Sequence, residues 1–350
     1  MTRRRAREGL AALRRHRGFA AVLIVCAFAT GLLFRYLLDD PEQRQASYYL
    51  RSGVHAVGIA LTGWGAHAAF GAFLQERFRR APLVLELAAR VAFMAVPLAV
   101  AAVVLQVALY GPELSSQWFE ERLPLAVAVA LVMSILFGML FELKRLVGGR
   151  VLKNFILGTY HRPVAEERII MFLDLEGSTA LAERMGELRL HELITRFFFD
   201  IDGAIVAHGG EVHSYVGDAV IVTWPVSAGR GDGACLRCFF AIADAIAARA
   251  ARYEERFGLS PRFRASLHAG PIVASECGKT KRQIAFFGDA MNVAARLEEY
   301  GKAAGERLVV SRAVLAKVDL PDGLEAGPFA TVPLRGREAP IEVASLRRRG

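Results

Sequence analysis

Cysteine is scarce in this chain of 350 residues, which holds four. Four are too few for a disulfide framework. Cys26 lies in an apolar run and Cys277 stands alone. Cys235 and Cys238 form a CxxC inside Ala234–Ala251, a stretch that reads as an amphipathic helix. With no second CxxC and no paired histidines to complete a zinc site, helix packing is expected of them rather than metal or redox chemistry. A basic surface for nucleic acid is lacking too, although the formal charge is +9 and the isoelectric point is near 9.7. Arg3, Arg4, Arg5, Arg7, Arg14, Arg15 and Arg17 all precede the first apolar run, where an anionic membrane surface accounts for them. Nucleic acid is not an expected partner.

Apolar residues are abundant. They make up 54% of the chain and give a mean hydropathy of +0.31, too apolar for a soluble protein. The excess falls in four runs: Phe19–Leu38, Val54–Leu74, Val91–Tyr110 with an extension back to Pro82, and Leu123–Leu140. Each approaches the ~20 residues that a hydrocarbon core requires. A signal peptide could start the same way, but the first run is long for one and three more follow, so a retained helix is expected. Loop charges give the orientation. Asp39, Asp40 and Glu42, and Glu113, Glu120 and Glu121, mark outer segments. The N-terminus, the Arg77, Arg79, Arg80 loop, and Lys144, Arg145, Arg150 and Lys153 are basic and face the cytoplasm, placing both termini inside. The expected location is a bacterial inner membrane, with the bilayer as partner and a ligand of the spans unknown. His55 and the Glu86/Arg90 pair sit near span ends, where headgroups solvate them; His67 alone suggests a buried polar site.

The expected organisation is a basic N-terminus over 1–17, a four-span domain over 18–145, a connector over 146–166 and a globular domain over 167–350. In the last, the pattern predicts a strand (Arg168–Leu173), a helix (Ser178–His208), a strand pair (Glu211–Trp224) and a helix (Gly233–Phe257). A strand (Arg262–His268), a helix (Asp289–Tyr300) and a closing strand (Glu342–Leu346) follow. This is an α+β layer, helices on one face of a largely antiparallel sheet.

Three motifs carry chemistry. Phe172-Leu173-Asp174-Leu175-Glu176-Gly177-Ser178-Thr179 puts a carboxylate at a strand end, then opens a helix whose free N–H groups can hold phosphate oxygens. Val216-Gly217-Asp218-Ala219 puts a second carboxylate at a tight hairpin. A hairpin beside the first strand would bring Asp218 against Asp174, and such a pair repels unless cations hold it. Asn292 and Arg296 lie four apart at the start of a helix and share a face.

Together the motifs, over residues 166 to 346, resemble the class III adenylyl and guanylyl cyclase family, in its membrane-bound bacterial form with four spans; Gly158-Thr159-Tyr160-His161-Arg162-Pro163 looks like the junction of such members. The resemblance implies a ferredoxin-like βαββαβ core and a two-metal adenylate cyclase acting at a homodimer interface. It implies that Asp174, Leu175 and Asp218 hold two Mg²⁺ or Mn²⁺ ions, that Gly177, Ser178 and Thr179 meet phosphate, that Asn292 orients the ribose, and that Arg296 stabilises charge on the α-phosphate. Arg335 falls where the family often has a triphosphate-binding lysine. The base-reading positions are Ser214 and Ala285, neither matching the lysine and aspartate or threonine usual for adenine nor the pair expected for guanine. ATP is the expected substrate, with GTP, or a weakly catalytic membrane receptor, as alternatives. The Gly-Gly-Asp/Glu-Glu-Phe hairpin of a diguanylate cyclase is missing from Tyr215–Ala219.

Overall fold

Chain segments without charge become helices first, because a helix satisfies its own backbone hydrogen bonds wherever it lies. The computed structural model describes residues 20–37, 46–78, 81–111, 119–120, 123–147, 158–226, 231–280, 282–334 and 339–349. It divides into two units, Met1–Leu146 and Val147–Gly350. The basic N-terminus over 1–17, connector residues 148–157 and the Arg79, Arg80 pair lie outside the described residues.

The first unit contains helices α1 (Ala20–Leu37), α2 (Ala46–Phe73), the short α3 (Gln75–Phe78), α4 (Leu83–Tyr110) and α5 (Leu123–Val147). Helices α1, α2 and α4 are long and apolar enough to cross a membrane, with mean hydropathies of 2.0, 1.2 and 2.4. In α5 the apolar stretch is the shorter Leu123–Leu136, so three of the four expected spans meet that standard among the described residues. Only 17% of each span window is buried, and Val25, Leu37, Phe73, Val96 and Val104 are exposed. Apolar surface on that scale suits lipid rather than water. Where helices touch, they touch closely. A Cβ on Gly53 would lie 2.4 Å from the Phe28 ring, and one on Gly31 2.5 Å from the Ser52 carbonyl oxygen, the small-residue contact that lets membrane helices approach.

Arg90 departs from expectation. It is buried rather than headgroup-solvated; its Nη2 donates to Glu86 Oε1 at 2.7 Å and its Nη1 lies 3.5 Å from His67 Nδ1. The helix starts at Leu83, so Arg90 sits two turns inside, where a paired charge is the only affordable one.

The second unit is a mixed nine-stranded sheet in the order β2-β3-β1-β4-β6-β9-β7, with β5 paired to β4 and β8 to β9. The strands are β1 (Val164–Leu175), β2 (Glu211–Val216), β3 (Ala219–Pro225), β4 (Phe263–Cys277), β5 (Gln283–Phe287), β6 (Leu308–Ser311), β7 (Leu324–Ala326), β8 (Ala330–Val332) and β9 (Ile341–Arg348). The pairing is antiparallel except for β4 with β6, which is parallel. Helices α6 (Ser178–Met185), α7 (Glu187–Ala207), α8 (Ala234–Ala247), α9 (Ala250–Phe257), α10 (Asp289–Ala304) and α11 (Arg312–Leu315) complete the unit. The expected single helix over Ser178–His208 is two, because Gly186 adopts a positive φ of 79° between them.

Helices cover both faces, not one as expected. Ile169, Met171, Leu173 and Leu175 point into a core with α7 and α8 that includes Leu193, Phe197, Cys235 and Cys238. Ile170 and Ile221 pack on the other face against Ala290 and Ala294 of α10. The reason is legible in β1 itself: Ile169 to Leu173 is apolar without alternation, and such a strand needs cover on each side. The two core cysteines are as inert as expected, burial pushing each thiol up to about 12.

Candidate catalytic site

Asp174 belongs to the α10 face of β1 and lies opposite Ala219 in the register with β3. Asp218 occupies the two-residue turn that precedes Ala219. In that turn Gly217 takes a φ of 62°, a left-handed value that a glycine reaches at no steric cost. Strand and turn therefore deliver both carboxylates to one end of the sheet. They meet. The Asp174 carboxyl is pushed up to about 7, first by burial, next by the Asp218 and Glu298 charges, with a hydrogen bond to Asp218 adding to the shift. Two carboxylates in contact cannot both ionise cheaply, so one holds a proton until a cation replaces it. Hard oxygen donors of this kind suit Mg²⁺ or Mn²⁺. Among the described residues no group of three or more His, Cys, Asp or Glu side chains is placed to hold a metal ion, so ions here would take remaining ligands from substrate and water.

Beyond Asp174, Leu175 ends β1 with its side chain buried, leaving only its backbone to face a ligand. Gly177 has a φ of 72° and caps α6, and a Cβ there would meet nothing within 4 Å. Ser178 and Thr179 form the first turn of α6, where backbone N–H groups have no partner within the helix. This open, donor-lined turn can take an anion.

Helix α10 starts where Gly288 crosses β4 closely: a Cβ there would lie 3.0 Å from the Pro271 carbonyl oxygen, and φ is 139°. It is seated by Ser266, whose Oγ donates to the Ala294 carbonyl at 2.6 Å, and by buried Ala290, Val293, Ala294, Leu297 and Gly301. Asn292 is exposed and Arg296 half-buried. The neighbouring charges that act on Asp174 include Asp218, Glu298 and Lys302. At 100° per residue, Arg296 lies about 200° around the helix from Glu298.

Ser214 and Ala285 are half-buried on β2 and β5. A register shift between Val212 and Ser214 turns His213 so that its ring stacks on Phe286 at 4.1 Å between centroids. The residues beside both positions thus touch, although β2 and β5 are not hydrogen-bonded neighbours. Arg335 lies outside the described residues.

Several residues were invisible to motif reasoning. Arg168 is buried and donates to Glu166 at 2.9 Å, and to Glu211 and Thr223 at 3.1 Å, while its Cζ lies 4.8 Å from the Phe286 ring centroid. It ties β1, β2, β3 and β5 together behind the stacked pair. Arg264 stands opposite Asp174 on β4 and pairs with Glu176 at 3.7 Å and Glu298 at 4.0 Å. The available signal was a lone arginine in the apolar Phe263–Leu267 run, since strands of that kind rarely keep an unpaired charge.

Known proteins are similar to this domain. The model of the adenylate and guanylate cyclase catalytic domain matches residues 162–342. Adenylate cyclase 2 of Rhizobium meliloti is 38% identical over 205 residues, 59% of this chain and 56% of that protein. Adenylate cyclase 1 of the same organism is 27% identical over 51% of this chain and 27% of its own length. The chain thus spans only about half, or less, of these relatives. A bacterial light-regulated adenylyl cyclase of known structure shares the fold, with a TM-score of 0.50 at 21% identity over 63% of this chain and 64% of that one. A match over more than half of the chain, on a domain that places the paired aspartates at one sheet end, makes this protein a member of the adenylate and guanylate cyclase catalytic domain family.

Proposed function

We propose that the protein is a membrane-anchored adenylate cyclase that converts ATP to 3′,5′-cyclic AMP and pyrophosphate at sites shared across a homodimer. The observation that carries the reading is the meeting of Asp174 and Asp218 at one sheet end, where burial first and the Asp218 charge next push the Asp174 carboxyl up to about 7. The ribose 3′-oxygen attacks the α-phosphorus, the bond from that phosphorus to the bridging oxygen breaks, pyrophosphate leaves, and the hydroxyl proton passes to solvent. Two bound Mg²⁺ or Mn²⁺ ions would supply a lowered hydroxyl pKa and charge neutralisation on the phosphates. Asp174 and Asp218, with the Leu175 backbone, hold the ions; Gly177, Ser178 and Thr179 offer N–H groups to phosphate; Asn292 orients the ribose; Arg296 meets the charge that develops on the α-phosphate. Arg335 is assigned to the triphosphate. Ser214 and Ala285 line the purine, and the relatives that carry the name adenylate cyclase support ATP over GTP.

The homodimer is read from the family resemblance: the paired aspartates of one chain meet Asn292 and Arg296 of the partner, so each site is built across the two-fold interface. The antiparallel β2-β3-β1-β4 portion is read as the ferredoxin-like core. The anchor is read as four spans over 18–145, α5 being the fourth, with a connector over 146–166 and the catalytic domain over 167–350. Both termini are cytoplasmic, at a bacterial inner membrane.

Turnover of ATP and GTP by the purified full chain with Mg²⁺ or Mn²⁺ tests the chemistry. ATP is expected to be the better substrate, and Asp174→Ala or Asp218→Ala to abolish activity in a folded protein; near-normal turnover by either variant rejects the assignment. Co-expressed Asp174→Ala and Arg296→Ala chains, each inactive alone, are expected to recover about a quarter of wild-type activity, since half the randomly paired dimers keep one of two sites. No recovery, with mixed dimers shown by affinity tags, rejects the shared site.

A further inference from the structure

One register shift decides which side chains of β2 stand on the face of the sheet that α10 covers. Val212 lies opposite Val222 and Ser214 opposite Ile221, so His213 is the unmatched residue of a bulge. Directly opposed residues share a face. Val222 belongs to the core under α7 and α8, whereas Ile221 packs with Ala290 and Ala294 of α10, so Val212 and Ser214 stand on opposite faces. The His213 ring meets Phe286, which packs against the cluster on the α10 side. Two consecutive residues, His213 and Ser214, are thereby turned to that side.

The stack is tight. Its rings are 4.1 Å apart between centroids and within 9° of parallel. Burial first and the Arg168 charge next push the His213 pKa below its ordinary value, so a neutral ring lies on Phe286. Arg168, with its Cζ 4.8 Å from the Phe286 centroid, is fixed in turn by Glu166, Glu211 and Thr223. Strands β2 and β5 share no ladder that would fix their spacing, and this braced stack spans the gap.

Adenine and guanine differ at C6, amine against carbonyl, and at C2, hydrogen against amine. A serine hydroxyl both donates and accepts, so Ser214 suits either C6 group, and an alanine methyl reads neither. What remains for such a site to read is the size of the C2 substituent. We propose that His213 is a specificity-determining positioning residue: its stack on Phe286, braced by Arg168, holds β2 and β5 at a spacing that fits a purine bare at C2 and excludes a 2-amino group. The inference rests on the reading above, that Ser214 and Ala285 line the purine of an adenylate cyclase.

The experiment measures turnover of ATP, GTP, inosine triphosphate and 2-amino-ATP by the detergent-purified full chain, with cyclic product and pyrophosphate as readouts. Inosine triphosphate keeps the guanine carbonyl at C6 without the C2 amine, and 2-amino-ATP adds that amine to adenine. Wild type is expected to use inosine triphosphate within about threefold of ATP, and GTP and 2-amino-ATP each about tenfold worse in kcat/KM. His213→Ala is expected to raise KM for ATP about fivefold while kcat stays within about threefold, and to bring the four nucleotides within about threefold of one another. His213→Phe, which keeps a flat ring for Phe286, should hold the wild-type ranking. Wild type using GTP or 2-amino-ATP as well as ATP, or rejecting inosine triphosphate as strongly as GTP, overturns the proposal. So does an unchanged ranking in His213→Ala, or a ranking lost as fully in His213→Phe, which would make an imidazole nitrogen the direct reader. Should His213→Ala fold too poorly to assay, Phe286→Leu removes the stack from the other strand, and an unchanged ranking there overturns it equally. Asp174→Ala separates the two readings. Activity lost in that variant together with an unchanged His213→Ala ranking sinks the spacing role alone. Activity that survives in Asp174→Ala, or no cyclic product from any of the nucleotides, sinks the cyclase reading and this inference with it.

Discussion

The two units of this chain treat apolar side chains in opposite ways. In the catalytic unit they are hidden: Leu193, Phe197, Ile201 and Leu267 are each inaccessible in a core that spans strands and helices. Among the described residues of the helical unit the clustered core is Ala66, Met94, Leu98 and Ala130, while long side chains such as Val96 and Phe73 stand exposed. The contrast teaches that burial is defined by the solvent. Water drives apolar surface inward, but lipid is as apolar as leucine, so membrane helices associate through close packing of small residues and a few buried polar pairs instead.

That comparison can be broken at several points. The largest effect is expected in the catalytic core. Leu193→Ala removes a fully buried side chain and should cost about 2–5 kcal/mol. In a thermal melt of the detergent-solubilised protein it should lower the transition that destroys β-sheet circular dichroism and leave the purely helical transition of the other unit in place. A shift of both transitions together would mean that the two units melt as one.

A smaller effect of the opposite kind is expected from Gly31→Val, where the new Cβ meets the Ser52 carbonyl oxygen at 2.5 Å. Overpacking of this sort costs about 1–3 kcal/mol, here between α1 and α2. The β-sheet transition should stay where it is, and loss of that transition instead would sink the idea that packing, not solvent, holds the helical unit.

The smallest effect concerns pH in the absence of divalent ions. The Asp174 carboxyl titrates at about 7 when folded against an ordinary 3.8. With the folded value raised, its contribution to stability is fully present below pH 3.8 and is lost as the pH rises through 7. Discounted for its partial exposure, the loss is about 1–2 kcal/mol. Metal-free wild type should therefore melt lower at pH 8 than at pH 5, and Asp174→Asn should narrow that gap. The helical unit offers an internal control, and an equal gap in the variant would show that the carboxylate pair is not the source. Added Mn²⁺ should restore wild type at pH 8 and do little for the variant.

Much of this was legible without coordinates. Apolar runs announce helices long enough to cross a membrane because length and apolarity are local properties, and the order of Asp174, Asp218, Asn292 and Arg296 points to a family because each sits at a strand end, a turn or a helix start that local chemistry already dictates. Boundaries were less legible. The break at Gly186 looks, in sequence, like a glycine tolerated inside one long amphipathic helix, and β4 runs through Pro271 to Cys277 because its pairing partners β1 and β5 are remote in the chain. Arg90 was misjudged for the same reason, its partner His67 lying on another helix.

The sequence by itself determined the two-part plan and the family, since these depend on residue type and near-neighbour spacing. Tertiary structure alone decided that Asp174 and Asp218 meet at one sheet end, that helices cover both faces of the sheet, and that Arg264 reaches both Glu176 and Glu298. Those outcomes depend on which strands pair, which face of α10 is buried, and how charges distant in sequence fall within a few ångströms of each other, and none of these is encoded in any single stretch of residues.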